Sequence, residues 1–190
     1  MKLNKGVVIR TASTDDLAAV QSIGCETYRE HFASIWSPKG LEEFLARDFS
    51  ELALKKSLSS PQHLWLLVQD SRSSVVGYAK VNWDKPEPIS GVVGAELQKI
   101  YFSASATGRG YGSRAIAFIA SIASERDQTA IWLNVLTSNQ GGQRFYANAG
   151  FTSVGEIQFD TDIAKIEMTT MVRRLAANNS FKPKPLRGSA

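Results

Sequence analysis

One cysteine, Cys25, occurs in 190 residues. A single thiol cannot close an internal disulfide, which excludes the small oxidised scaffolds and fits a reducing compartment. Histidine is nearly as scarce. His31 and His63 are the only two, and neither stands at metal-ligand spacing from another His, Cys or Asp, so no metal centre is expected. Long apolar runs are missing as well. The longest covers residues 115–123 and contains Ser121, whereas a membrane-spanning helix needs about 20 apolar residues. Val7-Val8-Ile9, stopped by Arg10, is too short for a signal-peptide core. The expected location is cytoplasmic, with no membrane partner.

A strong charge of one sign is also absent from the body of the chain. The formal net charge is +4, but Lys2, Lys5, Arg10, Lys182, Lys184 and Arg187 lie in two terminal stretches, 1–10 and 176–190, that hold no acid. Without these six, 16 basic residues face 18 acidic ones. A nucleic-acid binder needs a basic face on its folded body, so no nucleic-acid partner is expected. The apolar share of 43% and charged share of 21% are those of an ordinary globular protein, and the length suits one sizeable core.

Periodicity then sets the order of elements. Residues 7–12 read as a strand, and Ser13-Thr14-Asp15-Asp16 supplies helix-capping chemistry. Leu17, Val20, Ile23, Thr27, Tyr28 and Phe32 share one helical face. Ser37-Pro38 opens a second helix carrying Leu41, Phe44 and Leu45, and a third short one carries Leu52, Leu54 and Leu58. Residues 63–69 and 75–81 form a hairpin around the turn Asp70-Ser71-Arg72-Ser73-Ser74. Asp84-Lys85-Pro86-Glu87-Pro88 reads as a surface loop. Strand 96–102, a glycine turn, a helix, strand 130–136 and another helix follow. Strands 151–159 and 165–173 close the chain, and a polar tail occupies 176–190. Helices alternating with strands in the middle and hairpins at both ends imply a mixed α/β sheet.

The turn Thr107-Gly108-Arg109-Gly110-Tyr111-Gly112-Ser113 is the stretch that carries chemistry. Glycines let backbone amides face a ligand, and the helix start adds unpaired N–H groups and a positive dipole end, which suits a phosphate. A P-loop would end in Gly-Lys-Ser/Thr, which Gly112-Ser113-Arg114 does not supply. Gly110-Tyr111-Gly112-Ser113-Arg114-Ala115 matches the dinucleotide pattern G-x-G-x-x-A. That pattern requires an acid about 20 residues on, where Thr137-Ser138 stand instead.

Strand, turn, helix and strand, followed by Asn139, Phe145-Tyr146 and Gly150-Phe151, resemble the GNAT superfamily of acyl-CoA-dependent N-acyltransferases. The family turn is Gln/Arg-x-x-Gly-x-Gly/Ala. Gly110 and Gly112 match it, while Thr107 occupies the Gln/Arg place. Gly142 stands where the family usually has Ala. The resemblance covers residues 7–173. Thr27-Tyr28, Phe32, Trp36-Ser37-Pro38, Ala95-Glu96-Leu97 and Ile100-Tyr101 further resemble the bacterial polyamine (PaiA-like) branch.

What the resemblance implies is specific. The fold would be a single domain over 1–175, with a mostly antiparallel sheet of about seven strands that splays between the fourth and fifth. The reaction would be direct acetyl transfer from acetyl-CoA to a primary amine, with a small amine or polyamine favoured over a peptide amine. Amides of Gly108, Arg109, Gly110, Tyr111, Gly112 and Ser113 would hold the pyrophosphate, and Ile100, Tyr101 and Phe102 would meet the pantetheine and thioester carbonyl. Tyr146 would protonate the leaving thiolate. Glu96 would be the general base, or else a strand carboxylate paired with a lysine such as Lys99. Asn139 would contact the donor, cap its helix, or both. Arg109 would meet a phosphate or stay solvated. Tyr28, Phe32 and Trp36 would cover the acceptor or belong to the core. His31 and His63 read as structural or surface residues, and Cys25 as packing. The resemblance also allows a homodimer. The rival class is a CoA-binding sensor without turnover, to which Thr107 and Gly142 would point.

Overall fold

A computed structural model describes residues 6–176. Lys2, Lys5 and the tail beyond Ala176 lie outside the described residues. Strand β1 (Val8–Thr11) is followed by three helices, α1 (Leu17–Phe32), α2 (Pro38–Phe49) and α3 (Glu51–Leu58). Strands β2 (His63–Gln69), β3 (Val75–Pro86) and β4 (Val93–Phe102) come next, then α4 (Tyr111–Glu125), β5 (Ala130–Leu136) and α5 (Gln140–Asn148). Strands β6 (Thr152–Asp160) and β7 (Lys165–Arg174) end the fold. The seven strands form one sheet in the order β1-β2-β3-β4-β5-β7-β6. Its neighbours are antiparallel except β4 and β5, which run parallel. This is the mixed α/β architecture that the sequence implies.

Local chemistry explains the helix starts. Ser13 and Asp16 form a reciprocal capping box before α1. Arg10 grips both Asp16 oxygens, at 2.6 and 2.8 Å, and with the Ser13 backbone amide holds that carboxyl down at about 2. The Oγ atoms of Ser37 and Ser50 accept from the amides of Gly40 and Ala53, capping α2 and α3. The helices then bury apolar faces on opposite sides of the sheet. Val20, Ile23, Tyr28, Phe44, Phe49 and Leu54 pack on Trp65, Leu67 and Tyr78. On the other side, Ile116, Ile119, Ala120 and Ala123 of α4 pack on Leu66, Ala79, Val81, Leu97, Ile131 and Leu133.

The loop expected from Asp84 begins only at Glu87. Strand β3 continues to Pro86, with Lys85 opposite Gly94 and Pro86 opposite Val93, after an irregularity that holds Asp84 at φ 56°. Pro86 lies past the last β2 pair, Asn82 with His63, so its missing N–H breaks no ladder bond on that side. Glu87 is buried, and its carboxylate accepts from the Ile89 and Ser90 amides at 2.6 and 2.7 Å. Charged and proline residues signalled a loop, but here they make a strand end and a closed turn.

Strand β4 also starts earlier than expected, at Val93, and carries a bulge. Lys80 faces Lys99 and Val81 faces Leu97, which leaves Gln98 as the extra residue. Its parallel ladder to β5 contains just two pairs, Ala95 with Ile131 and Glu96 with Trp132. Beyond Glu96 the two strands part. The closed end is tight: a Cβ on Gly94 would stand 2.5 Å from the Ala130 carbonyl oxygen. Gly94→Ala is therefore expected to lower stability by about 1–3 kcal/mol, read as a drop of several degrees in Tm. An unchanged Tm would show that the closed end tolerates separation.

Candidate active site

The parting of β4 from β5 opens a cleft of about 940 Å³, within the range of small-molecule sites. Its walls include β4 from Glu96 to Phe102, the Asn134-Val135-Leu136 end of β5, the turn before α4, and Asn139, Phe145 and Tyr146. Both strand walls keep their outer ladders, β4 to β3 as far as Phe102 and β5 to β7 as far as Leu136. The cleft therefore stays open between two supported strands.

The glycine turn forms one end of it. A short 3-10 turn at Ala104–Ala106 precedes Thr107, whose hydroxyl donates to the Ala104 carbonyl at 2.8 Å. Gly108 and Gly110 adopt φ of 73° and 77° with open space around each α-carbon, conformations that glycine reaches without strain. Helix α4 starts at Tyr111, and Arg114 makes the first helical bond, to the Gly110 carbonyl at 3.3 Å. The amides of Tyr111, Gly112 and Ser113 precede that bond and lack a helical acceptor. Gly112 serves packing instead: a Cβ there would meet Phe145 Cζ at 2.9 Å. Arg109 is exposed and does not line the cleft.

Helix α5 supplies the other wall. Asn139 Oδ1 accepts from the Gly142 amide at 2.8 Å, so Asn139 is a helix cap whose residue also lines the cleft. A Cβ on Gly142 would lie 2.7 Å from the Asn139 side-chain nitrogen, so glycine leaves that cap undisturbed. Tyr146 packs against Phe145 and Phe151, with ring centroids at 5.1 and 5.8 Å, and faces the cleft. Burial pushes its hydroxyl well above the ordinary phenol range, so it remains protonated at neutral pH. Burial, the phenols of Tyr146 and Tyr28, and Asp48 do the same to Tyr101 across the cleft.

Glu96 lines the cleft where the two strands fork. It is not paired with Lys99. Its Oε2 accepts from Asn82 Nδ2 at 2.7 Å, while buried Lys99 reaches Asp48 Oδ2 at 2.9 Å. The bulge at Gln98 turns Lys99 to the face that α2 covers, beside the Phe44 and Phe49 rings. Burial works to raise the Asp48 carboxyl, but Lys99 and Arg47 together outweigh it and hold it low.

Of the expected acceptor residues, Phe32 lines the cleft and meets Tyr101 edge-on at 5.2 Å. Tyr28 also reaches it but is mostly core: it stacks on Phe44 at 4.1 Å, and burial raises its hydroxyl to about 12. Trp36 stands behind that layer. It donates to Tyr28 Oη at 3.2 Å, packs on Phe159 and does not line the cleft. His31, which the sequence suggested was structural or at the surface, is exposed and lines the cleft, and its Nε2 donates to the Phe102 carbonyl at 3.0 Å. Its place between Tyr28 and Phe32 on one helix was the available signal. His63 lies away from the cleft, and Cys25 is half-buried in the α1–α3 layer. Among the described residues, no group of three or more His, Cys, Asp or Glu could hold a metal ion, and no helix is long and apolar enough to cross a membrane.

The sequence model of the acetyltransferase (GNAT) family matches residues 24–151. An uncharacterized N-acetyltransferase of Lactobacillus delbrueckii subsp. lactis is 28% identical over 156 residues, 81% of this chain and 89% of that protein. One from Mycobacterium tuberculosis is 26% identical over 162 residues, covering 85% and 97%. Among solved structures, the PaiA N-acetyltransferase of Thermoplasma acidophilum, in complex with coenzyme A, superposes with TM-score 0.69 at 21% identity, covering 89% of this chain and 99% of that one. The spermidine/spermine N-acetyltransferase SpeG of Vibrio cholerae gives TM-score 0.63 at 14% identity, covering 90% and 94%. At such identities the structural likeness carries the fold and not the acceptor.

The left-handed turn gives a direct test. Gly110→Ala forces a side chain into a conformation that costs about 1–2 kcal/mol and should reorient the free amides. Calorimetry is expected to show coenzyme A binding weakened about ten-fold, and equal affinity would show that the turn does not hold it.

Proposed function

The chain belongs to the acetyltransferase (GNAT) family, and from that premise we propose that it transfers an acetyl group from acetyl-CoA directly to a primary amine. The observation that carries this reading is the break in the β4–β5 ladder beside a turn rich in free amides. A nucleotide thioester needs a long slot with an anion cradle at one end, and the cleft has that form. The amides of residues 108–113 hold the pyrophosphate, with the α4 dipole behind them. The β4 backbone from Ile100 to Phe102 aligns the pantetheine and offers N–H donors towards the thioester oxygen. His31 fixes the end of that strand through the Phe102 carbonyl.

Glu96 and Tyr146 then move the protons. Glu96, oriented by Asn82, takes a proton from the incoming ammonium through water. The freed amine forms the new C–N bond as the C–S bond breaks. Tyr146 gives its proton to the departing sulfur, and the proton shed by the nascent amide nitrogen returns to the Tyr146 oxygen. Burial keeps that hydroxyl protonated but makes it a weaker acid, so the transfer relies on its placement beside the sulfur. Asn139 acts first as the cap that positions the start of α5. The acceptor enters beside Phe32 and Tyr28, and the protein works in the cytoplasm.

The test is thiol release from acetyl-CoA with a panel of amines. Tyr146→Phe keeps the ring and should lower kcat about 10²-fold or more, with acetyl-CoA affinity unchanged. Unchanged turnover would remove Tyr146 from the mechanism. Tight acetyl-CoA binding with no thiol release from any amine would favour the sensor reading.

A further inference from the structure

A second cavity, of about 340 Å³, adjoins the cleft on the face covered by α2 and α3, and shares Arg47, Asp48, Gln98 and Lys99 with it. Its charge is unbalanced. Arg47, Lys56, Lys80 and Lys99 line it against a single carboxylate, Asp48. That carboxylate is already engaged by Lys99 Nζ and Arg47 Nε, each at 2.9 Å.

Lys80 is the exceptional member. It stands directly opposite Lys99 in the β3–β4 register, and like charges so placed destabilise a sheet. Its stem is half-buried and its ammonium sits 5.4 Å from the Trp65 ring, with no ion-pair partner among the described residues. Burial and then Lys99 press that ammonium down to about 8, against the pull of the Asp48 and Glu96 carboxylates. His63 lines the cavity too, its Nδ1 2.8 Å from Ser57 Oγ, which accepts from Trp65 Nε1 at 2.8 Å, and 3.3 Å from the Ser57 carbonyl. A partly buried cation without a partner is costly, and a ligand that brings an anion removes the cost.

Resting on the acetyl-transfer reading, we propose that this second cavity takes an anionic group of the acceptor, a carboxylate or a phosphate, so that the substrate is an amine bearing an acid. Its amine reaches Glu96 in the cleft while its anion sits among Lys80, Lys99 and Arg47. A polyamine would place a further ammonium against three cations, and Coulomb repulsion in a partly buried site opposes that.

Thiol release with aspartate, phosphoethanolamine, ethanolamine and spermidine tests this, in the wild type and in Lys80→Met. The acid-bearing amines should exceed ethanolamine and spermidine in kcat/KM by about ten-fold or more, the loss of one charge-assisted contact being of that order. Preference between aspartate and phosphoethanolamine identifies the anion. Lys80→Met should raise KM for the acid-bearing amines about ten-fold, leave their kcat and the acetyl-CoA KM in place, and change ethanolamine far less. Its Tm should hold or rise, because methionine keeps the stem on Trp65 and relieves Lys99. Preference for spermidine, or an equal effect of Lys80→Met on every acceptor, would overturn the anion subsite and leave acetyl transfer standing. Absence of thiol release with all four amines would instead count against the acetyl-transfer reading.

Discussion

Two parallel strands that stop pairing in mid-sheet leave facing rows of backbone N–H and C=O groups without protein partners. Buried groups of that kind are costly unless something else bonds them. Here the break follows Glu96 and Trp132, and each strand keeps its outer ladder, β4 with a bulge at Gln98 and β5 without interruption. The sheet cannot heal the gap by sliding. Gly94 holds the strands together at the closed end, and α4 and α5 pack across the open end, where Gly112 admits the Phe145 ring. Everything chemical is arranged along that opening: the amide turn at one end, Tyr146 on one wall, Glu96 at the fork.

Electrostatics divide the opening into regions. Along the cleft walls, burial keeps the hydroxyls of Tyr101 and Tyr146 protonated and uncharged. Beneath it, the Gln98 bulge delivers Lys99 to Asp48 under α2. That pair neutralises itself, but it leaves Lys80 facing a cation across the ladder. The same bulge therefore shapes the second cavity, where Arg47, Lys56, Lys80 and Lys99 outnumber Asp48.

Much of this was legible in the sequence because it is local. The element order follows from periodicity, and the left-handed turn follows from Gly108 and Gly110. Residues 96–102 and 107–113 needed no long-range knowledge to be singled out, since one strand and one turn carry them. The splay and the roles proposed for Tyr146 and Glu96 came through family resemblance, not through pattern. What stayed hidden depends on pairing between distant segments. The register that isolates Gln98 involves β3, and the partner of Lys99 is 51 residues away. His31 meets a carbonyl 71 residues on. The stretch from Asp84 misled because polar and proline residues signal a loop regardless of what lies opposite, and Glu87 satisfies its burial within its own turn. Trp36 shared the helical neighbourhood of Tyr28 and Phe32, yet one layer of packing set it behind them.

The most direct measurement is a crystal structure of the protein with coenzyme A. Pyrophosphate oxygens are expected on the amides of residues 108–113, pantetheine between β4 and β5, and the sulfur beside the Tyr146 hydroxyl. Coenzyme A bound elsewhere, or a β4–β5 gap left empty beside a bound molecule, would contradict that placement.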